Sequence, residues 1–199
     1  MNARTMPRNL TPLFAALLTL SACQAAPPPE PPLAGAAIGG DFTLTGEDGK
    51  AVSWSDFEGQ YRTVYFGYTY CPDVCPVDTQ RAMAGLKAFE KANPELGAKI
   101  QPLFISVDPD RDTPDVLREF TANFHPRLVG LTGTKEQIDA VTRAFASTYS
   151  IGEKQEGGGY LVSHTNITYL FDPKGEPLTM LPTDEGAEAV AAELEKWVR

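Results

Sequence analysis

Cationic side chains, histidine and cysteine are all scarce in this chain: 17 Lys plus Arg stand against 26 Asp plus Glu, with two His and three Cys in 199 residues. The deficit of positive charge makes nucleic acid an unsuitable partner and favours basic ones instead. Three cysteines allow at most one internal disulfide and leave an odd thiol to be explained. The imidazole candidates are His125 and His164. No internal repeat is evident, and 42% hydrophobic with 22% charged content is ordinary material for one globular domain.

The apolar run Leu13–Leu20 follows Arg4 and Arg8 and is far too short to span a bilayer, so residues 1–22 read as a signal peptide. It ends in Leu20-Ser21-Ala22-Cys23, small residues directly before a cysteine, which resembles a bacterial lipobox with Cys23 as the lipidated residue. The plainer alternative is an ordinary cleaved signal that leaves Cys23 as a stray thiol. Cleavage before Cys23 leaves 199 − 22 = 177 residues and 17 − 2 = 15 basic against 26 acidic side chains, a balance of −11. The expected address is the periplasmic side of a bacterial membrane, exported and lipid-anchored, where paired cysteines can be oxidised. Residues 23–40, rich in Pro, Ala and Gly, read as a tether. Extended at about 3.1 Å per residue, it would reach roughly 50 Å from the anchor.

The globular domain is expected over residues 41–199. Asp41–Thr45 and Ala51–Trp54 around a Gly-Glu-Asp-Gly turn read as an N-terminal β-hairpin. Arg62–Tyr70 and Ile100–Asp108 read as buried central strands, with Val77–Asn93 as a helix between them. A helix over Thr113–Phe124 has Pro114 suited to its first position, and Thr134 with Gln137 makes a capping-box start for the next. Two more strands flank the turn Asp172–Gly175, and Val190, Leu194 and Trp197 share one face of a terminal helix. The fold class is therefore α/β, a sandwich with a mixed central sheet flanked by helices.

Cys71 and Cys75 lie in Cys-Pro-Asp-Val-Cys-Pro, at the end of the first central strand. Each precedes a proline, which disfavours helical geometry at the cysteine. Pro76 then suits the first helical position and makes Cys75 the N-cap, where the helix dipole should lower its thiol pKa. A proline-bounded loop can close into a Cys71–Cys75 disulfide or open around a metal ion. A structural crosslink so short would restrict the unfolded chain little, whereas a redox couple or half of a metal site both fit the chemistry. His125 reads as a surface histidine and His164, ahead of an apolar strand, as a structural one. Asp108, Asp110, Arg111 and Asp112 read mostly as a turn and helix cap, and otherwise as an acidic docking surface.

Taken together, Val64–Pro76, Ile105–Phe120 and Tyr160–Gly175 resemble three signature blocks of the Sco family of copper proteins, called SenC in bacteria, and occur in the family's order. The resemblance implies a thioredoxin-like fold that binds one copper ion, Cu(I) or Cu(II), through Cys71, Cys75 and His164. It implies a metallochaperone rather than an enzyme, one that helps metallate the dinuclear CuA site of cytochrome c oxidase. Its partners would be the copper-accepting oxidase subunit and other periplasmic copper chaperones, and a monomer is expected. An acidic residue often precedes the family histidine; here that position is Ser163. Thiolate and imidazole donors suit both copper oxidation states, and zinc is the competing metal for a Cys2His set. The alternative function is a thiol-disulfide reductase that keeps a client's copper-ligand cysteines reduced. A peroxidase reading lacks the threonine and arginine surround such a site needs.

Overall fold

A computed structural model describes Met1, residues 29–155 and residues 157–199. The expected signal peptide and Cys23 lie outside the described residues. Among those described, no helix is long and apolar enough to cross a membrane.

A seven-stranded mixed sheet organises the chain in the order β2-β1-β5-β4-β3-β8-β9. The N-terminal hairpin is β1 (Thr43–Gly46) with β2 (Ala51–Ser53). Three parallel strands form the middle: β3 (Tyr61–Gly67), β4 (Ile100–Ser106) and β5 (Val129–Thr132). β8 (Thr168–Phe171) runs antiparallel to β3, and β9 (Pro177–Leu181) to β8. β3 is buried at every position, as its β-branched and aromatic stretch Thr63–Phe66 suits a strand covered on both faces, and even Arg62 is enclosed.

The helices are α1 (Val74–Ala92), the single turn α2 (Pro94–Gly97), α3 (Pro114–Ala122), α4 (Lys135–Ala144) and α5 (Ala187–Trp197). Strand alternation sorts the core between them. Tyr65 and Phe104 share one face, where Phe104 stacks on Phe120 of α3. Phe66 faces the other way, into a cluster with Phe145, Trp54 and Phe171 beyond the end of α4. On α1, Gly85 lets α5 approach so closely that an added Cβ would lie 2.5 Å from Val190 Cγ1. Thr134 and Gln137 form the expected capping box, and Val190, Leu194 and Trp197 are the buried face of α5.

The 23–40 segment, read as a tether, is described from residue 29 onward, and its last part lies against the domain. The Leu33 amide donates to Leu178 O at 3.0 Å and the Gly39 amide to Ala144 O at 2.9 Å, while Leu33 and Ile38 pack on the core. Two large aliphatic side chains suffice to hold so short a stretch.

A second, separate sheet contains only β6 (Tyr149–Ile151) and β7 (Val162–His164), paired antiparallel. Three-residue strands on either side of a glycine-rich loop leave no alternation to read, and neither strand is evident in the sequence.

Candidate metal centre

The end of β3 delivers the loop Tyr68–Asp73, and α1 begins at Val74, so Cys75 sits inside the first turn rather than at the cap, which is Asp73. Proline is tolerated there because first-turn amides lack helical acceptors. Cys71 is half-buried and Cys75 fully buried, and both are free thiols. The Cys75 amide points at Cys71 Sγ, 3.5 Å away.

This geometry reverses the expected acidity of the pair. Burial raises the Cys75 thiol well above its ordinary pKa, further aided by the neighbouring Cys71 sulfur, against a weaker opposing effect from the Tyr68 backbone. At Cys71 burial also pushes upward, but the amides of Cys75 and Asp73 outweigh it, and its pKa is lowered. The helix N-terminus thus acts on the first cysteine, not the second.

His164 ends β7 and brings Nε2 to 2.9 Å from Cys75 Sγ. Its Nδ1 lies 3.1 Å from Thr165 O, and a carbonyl can only accept, so Nδ1–H donates. That fixes the tautomer and turns the Nε2 lone pair toward the sulfurs, as a metal ligand requires. Burial lowers the His164 pKa, which favours the neutral ring. Tyr65 and Tyr68 stand edge-on to the imidazole, at 6.1 and 5.9 Å between centroids, and restrict its rotation. The ligand atoms of Cys71, Cys75 and His164 all lie within 4.8 Å of one another. Two soft sulfurs and one borderline nitrogen so placed need little movement to close on a single copper ion, and the half-exposed Cys71 leaves a side open for ligand exchange.

The remaining sequence candidates fall elsewhere. Ser163, in the position of the family's acidic residue, is exposed on the opposite face of β7. The carboxylate whose charge acts on His164 is that of Asp78, which burial holds above the ordinary range. Asp78 lies one helical turn past Cys75, where a side chain can share the cysteine's face, and that spacing is the signal the sequence offers for it. His125 is buried, not superficial. Its Nδ1 accepts from the Arg127 amide at 3.1 Å, so Nε2–H donates to Glu90 Oε2 at 3.2 Å.

Of the second loop's three aspartates only Asp110 is exposed, so they do not present a clustered acidic surface. Asp108 and Asp112 are both fully buried and bind inside the protein. Asp112 accepts from the Thr69 amide, Thr69 Oγ1 and Ser106 Oγ, leaving Thr113 as the cap of α3. Asp108 accepts from Arg111 Nε and Tyr160 OH.

Comparison with known proteins agrees with this arrangement. A model of the SCO1/SenC family matches residues 30–199. Protein SenC of Rhodobacter capsulatus is 46% identical over 158 residues, 79% of this chain and 69% of that protein. The mitochondrial SCO1 homolog of Homo sapiens is 39% identical over 164 residues, 81% of this chain but 53% of its own length, so the chain spans about half of that relative. Among solved structures, Arabidopsis thaliana ScoI with copper bound superposes with a TM-score of 0.74 at 34% identity, covering 80% of this chain and 97% of that one. The thioredoxin domain of a Bacteroides vulgatus thiol-disulfide oxidoreductase, at 19% identity and a TM-score of 0.54 over 81% of this chain and 96% of that one, shares the fold, which is thioredoxin-like.

Proposed function

The chain belongs to the SCO1/SenC family, and from that premise we propose that it is a copper-binding metallochaperone whose cargo is held by Cys71, Cys75 and His164 and passed to the CuA site of cytochrome c oxidase. The observation that carries the reading is the convergence of two thiols and a correctly oriented Nε2 within 4.8 Å of one another. Binding displaces the Cys75 proton that burial retains in the metal-free protein, so affinity rises with pH. Cys71, the more exposed ligand, is the first to exchange with a client's donors. Tyr70 and Val74 beside it are exposed apolar side chains suited to transient contact with a client. A lipid on Cys23 would keep the domain at the periplasmic membrane surface, and an acidic domain would meet a basic client surface.

Anaerobic titration of the reduced protein with copper tests the reading. One equivalent is expected to bind with a spectrum showing sulfur and nitrogen ligation, and His164→Ala is expected to remove the nitrogen signature. Absence of stoichiometric binding, or binding that ignores His164, would refute it.

The inequality of the two thiols supports a second activity, reduction of a client disulfide. The accessible, more acidic Cys71 attacks one client sulfur and releases the other as a thiolate. As the released client thiolate takes up the Cys75 proton, Cys75 Sγ attacks Cys71 Sγ of the mixed disulfide and releases the client's second sulfur as a thiolate, so that two electrons pass to the client and Cys71–Cys75 becomes the disulfide. Exchange with a client-like disulfide peptide should survive His164→Ala and vanish in Cys71→Ser; loss with both variants would tie the chemistry to the metal instead.

A further inference from the structure

The ribbon that carries His164 is poorly secured by its own pairing. β6 and β7 have three residues each and join no other strand, and an isolated two-stranded hairpin is marginal in water. The connecting loop contains Gly157 and Gly158 at φ 102° and 87°, which adds freedom rather than stiffness. Yet the imidazole must stand within a bond's length of closing on two sulfurs.

One side chain touches both halves of the site. Arg111 Nε donates to Asp108 Oδ2 at 2.5 Å, and Nη1 donates to the backbone carbonyl of Tyr160 at 2.9 Å. Its guanidinium carbon lies 3.7 Å from the Tyr160 ring centroid, and Tyr160 OH returns a hydrogen bond of 2.6 Å to Asp108 Oδ1. On the other side the same guanidinium lies 5.0 Å from the ring of Tyr70 and 5.6 Å from that of Tyr68, the residues that lead into Cys71. Tyr68 is in turn edge-on to His164. The Asp108 side chain is fully buried, so this ion pair is shielded from solvent and its planar fork fixes direction as well as distance.

Resting on the three-donor reading above, we propose that Asp108, Arg111 and Tyr160 form a clamp that positions His164 against the cysteine loop. They are positioning residues: none belongs to the donor set of Cys71, Cys75 and His164, and their effect reaches it only through the imidazole.

The test measures copper affinity of the full chain by chelator competition for Tyr160→Ala and Tyr160→Phe, each in the wild-type and in the His164→Ala background. It adds amide hydrogen exchange across residues 161–165 of the metal-free protein. Tyr160→Ala is expected to lower Cu(II) affinity on the order of tenfold, the effect of losing a ligand's orienting partner. Cu(I) binding through the two sulfurs should be retained, with no further loss of Cu(II) affinity where His164 is already absent. Tyr160→Phe, which keeps the stacking and loses one hydrogen bond, should fall between. Exchange over 161–165 should accelerate in Tyr160→Ala. Equal losses in both backgrounds, or unchanged exchange, would overturn the clamp. If His164→Ala alone leaves copper binding intact, the three-donor reading is what fails, and the exchange rates still decide whether the clamp holds the ribbon.

Discussion

Replacing Asp112 by alanine should loosen the cysteine loop and weaken the whole domain. The Asp112 carboxylate receives three hydrogen bonds: from the Thr69 amide at 3.0 Å, Thr69 Oγ1 at 2.6 Å and Ser106 Oγ at 2.6 Å. Thr69 is two residues before Cys71 and Ser106 ends β4, so one buried carboxylate joins the loop to the central sheet. Three bonds to an ionised acceptor at about 1.5 kcal/mol each give roughly 4.5 kcal/mol. Where solvent reaches the donors vacated at the loop end, part of that is regained, which brings the net loss to about 3 kcal/mol. For a domain of this size that corresponds to a fall in Tm of roughly 6–12 °C. Urea unfolding measures it through a lower midpoint at unchanged slope, with Asp110→Ala, exposed on the same loop, expected to stay within about 0.5 kcal/mol of wild type. A loss for Asp112→Ala below about 1 kcal/mol, or one matched by Asp110→Ala, would refute the assignment.

Iodoacetamide at neutral pH should modify Cys71 at least about tenfold faster than Cys75, which should react fully only after denaturation; peptide mapping by mass spectrometry reads the order, and equal rates would contradict the burial difference. Gly85→Ala should cost about 1–3 kcal/mol because the new methyl meets Val190 at the α1–α5 contact, whereas neutrality in urea unfolding would mean the two helices are free to part. Burial holds the His125 imidazole below its ordinary 6.5, so the unfolded chain takes up a proton that the folded one resists. That stability is complete above about pH 6.5 and is lost as pH falls toward the folded value, with a slope of at most about 1.4 kcal/mol per pH unit. Urea midpoints between pH 5 and 8 should show the slope in wild type and a shallower one in His125→Phe.

The helices and central strands were legible in the sequence because their signals are local: Pro114 at a helix start, the Thr134–Gln137 box, the β-branched and aromatic run Thr63–Phe66 in β3. Cys71, Cys75 and His164 were recognisable as a set only through the family's motifs, since no spacing rule joins residue 75 to residue 164. What the sequence hid is burial. Asp108, Asp112 and His125 carry polar groups that usually face water, and each is enclosed because a distant partner, Tyr160, Thr69 or Glu90, satisfies it. The same blindness inverted the acidity of the cysteines: the helix terminus at residue 74 could be approximated, but the desolvation of Cys75 could not. Tyr160 follows three glycines that look like loop filler in the sequence, and only the Arg111 guanidinium over its ring gives it a role.

The placement of the third donor on a sheet of its own makes it a module. Residues 149–164 enter and leave the domain through neighbouring points, with Thr165 N bonded to Thr148 O, and contribute no strand to the seven-stranded sheet. A segment bounded in this way can be exchanged as one piece, provided Tyr160 keeps its contacts with Asp108 and Arg111 and so leaves the cysteine loop in place. The identity of the third donor, and with it the preference for one copper oxidation state over the other, is therefore open to redesign by cassette exchange at Thr148 and Thr165.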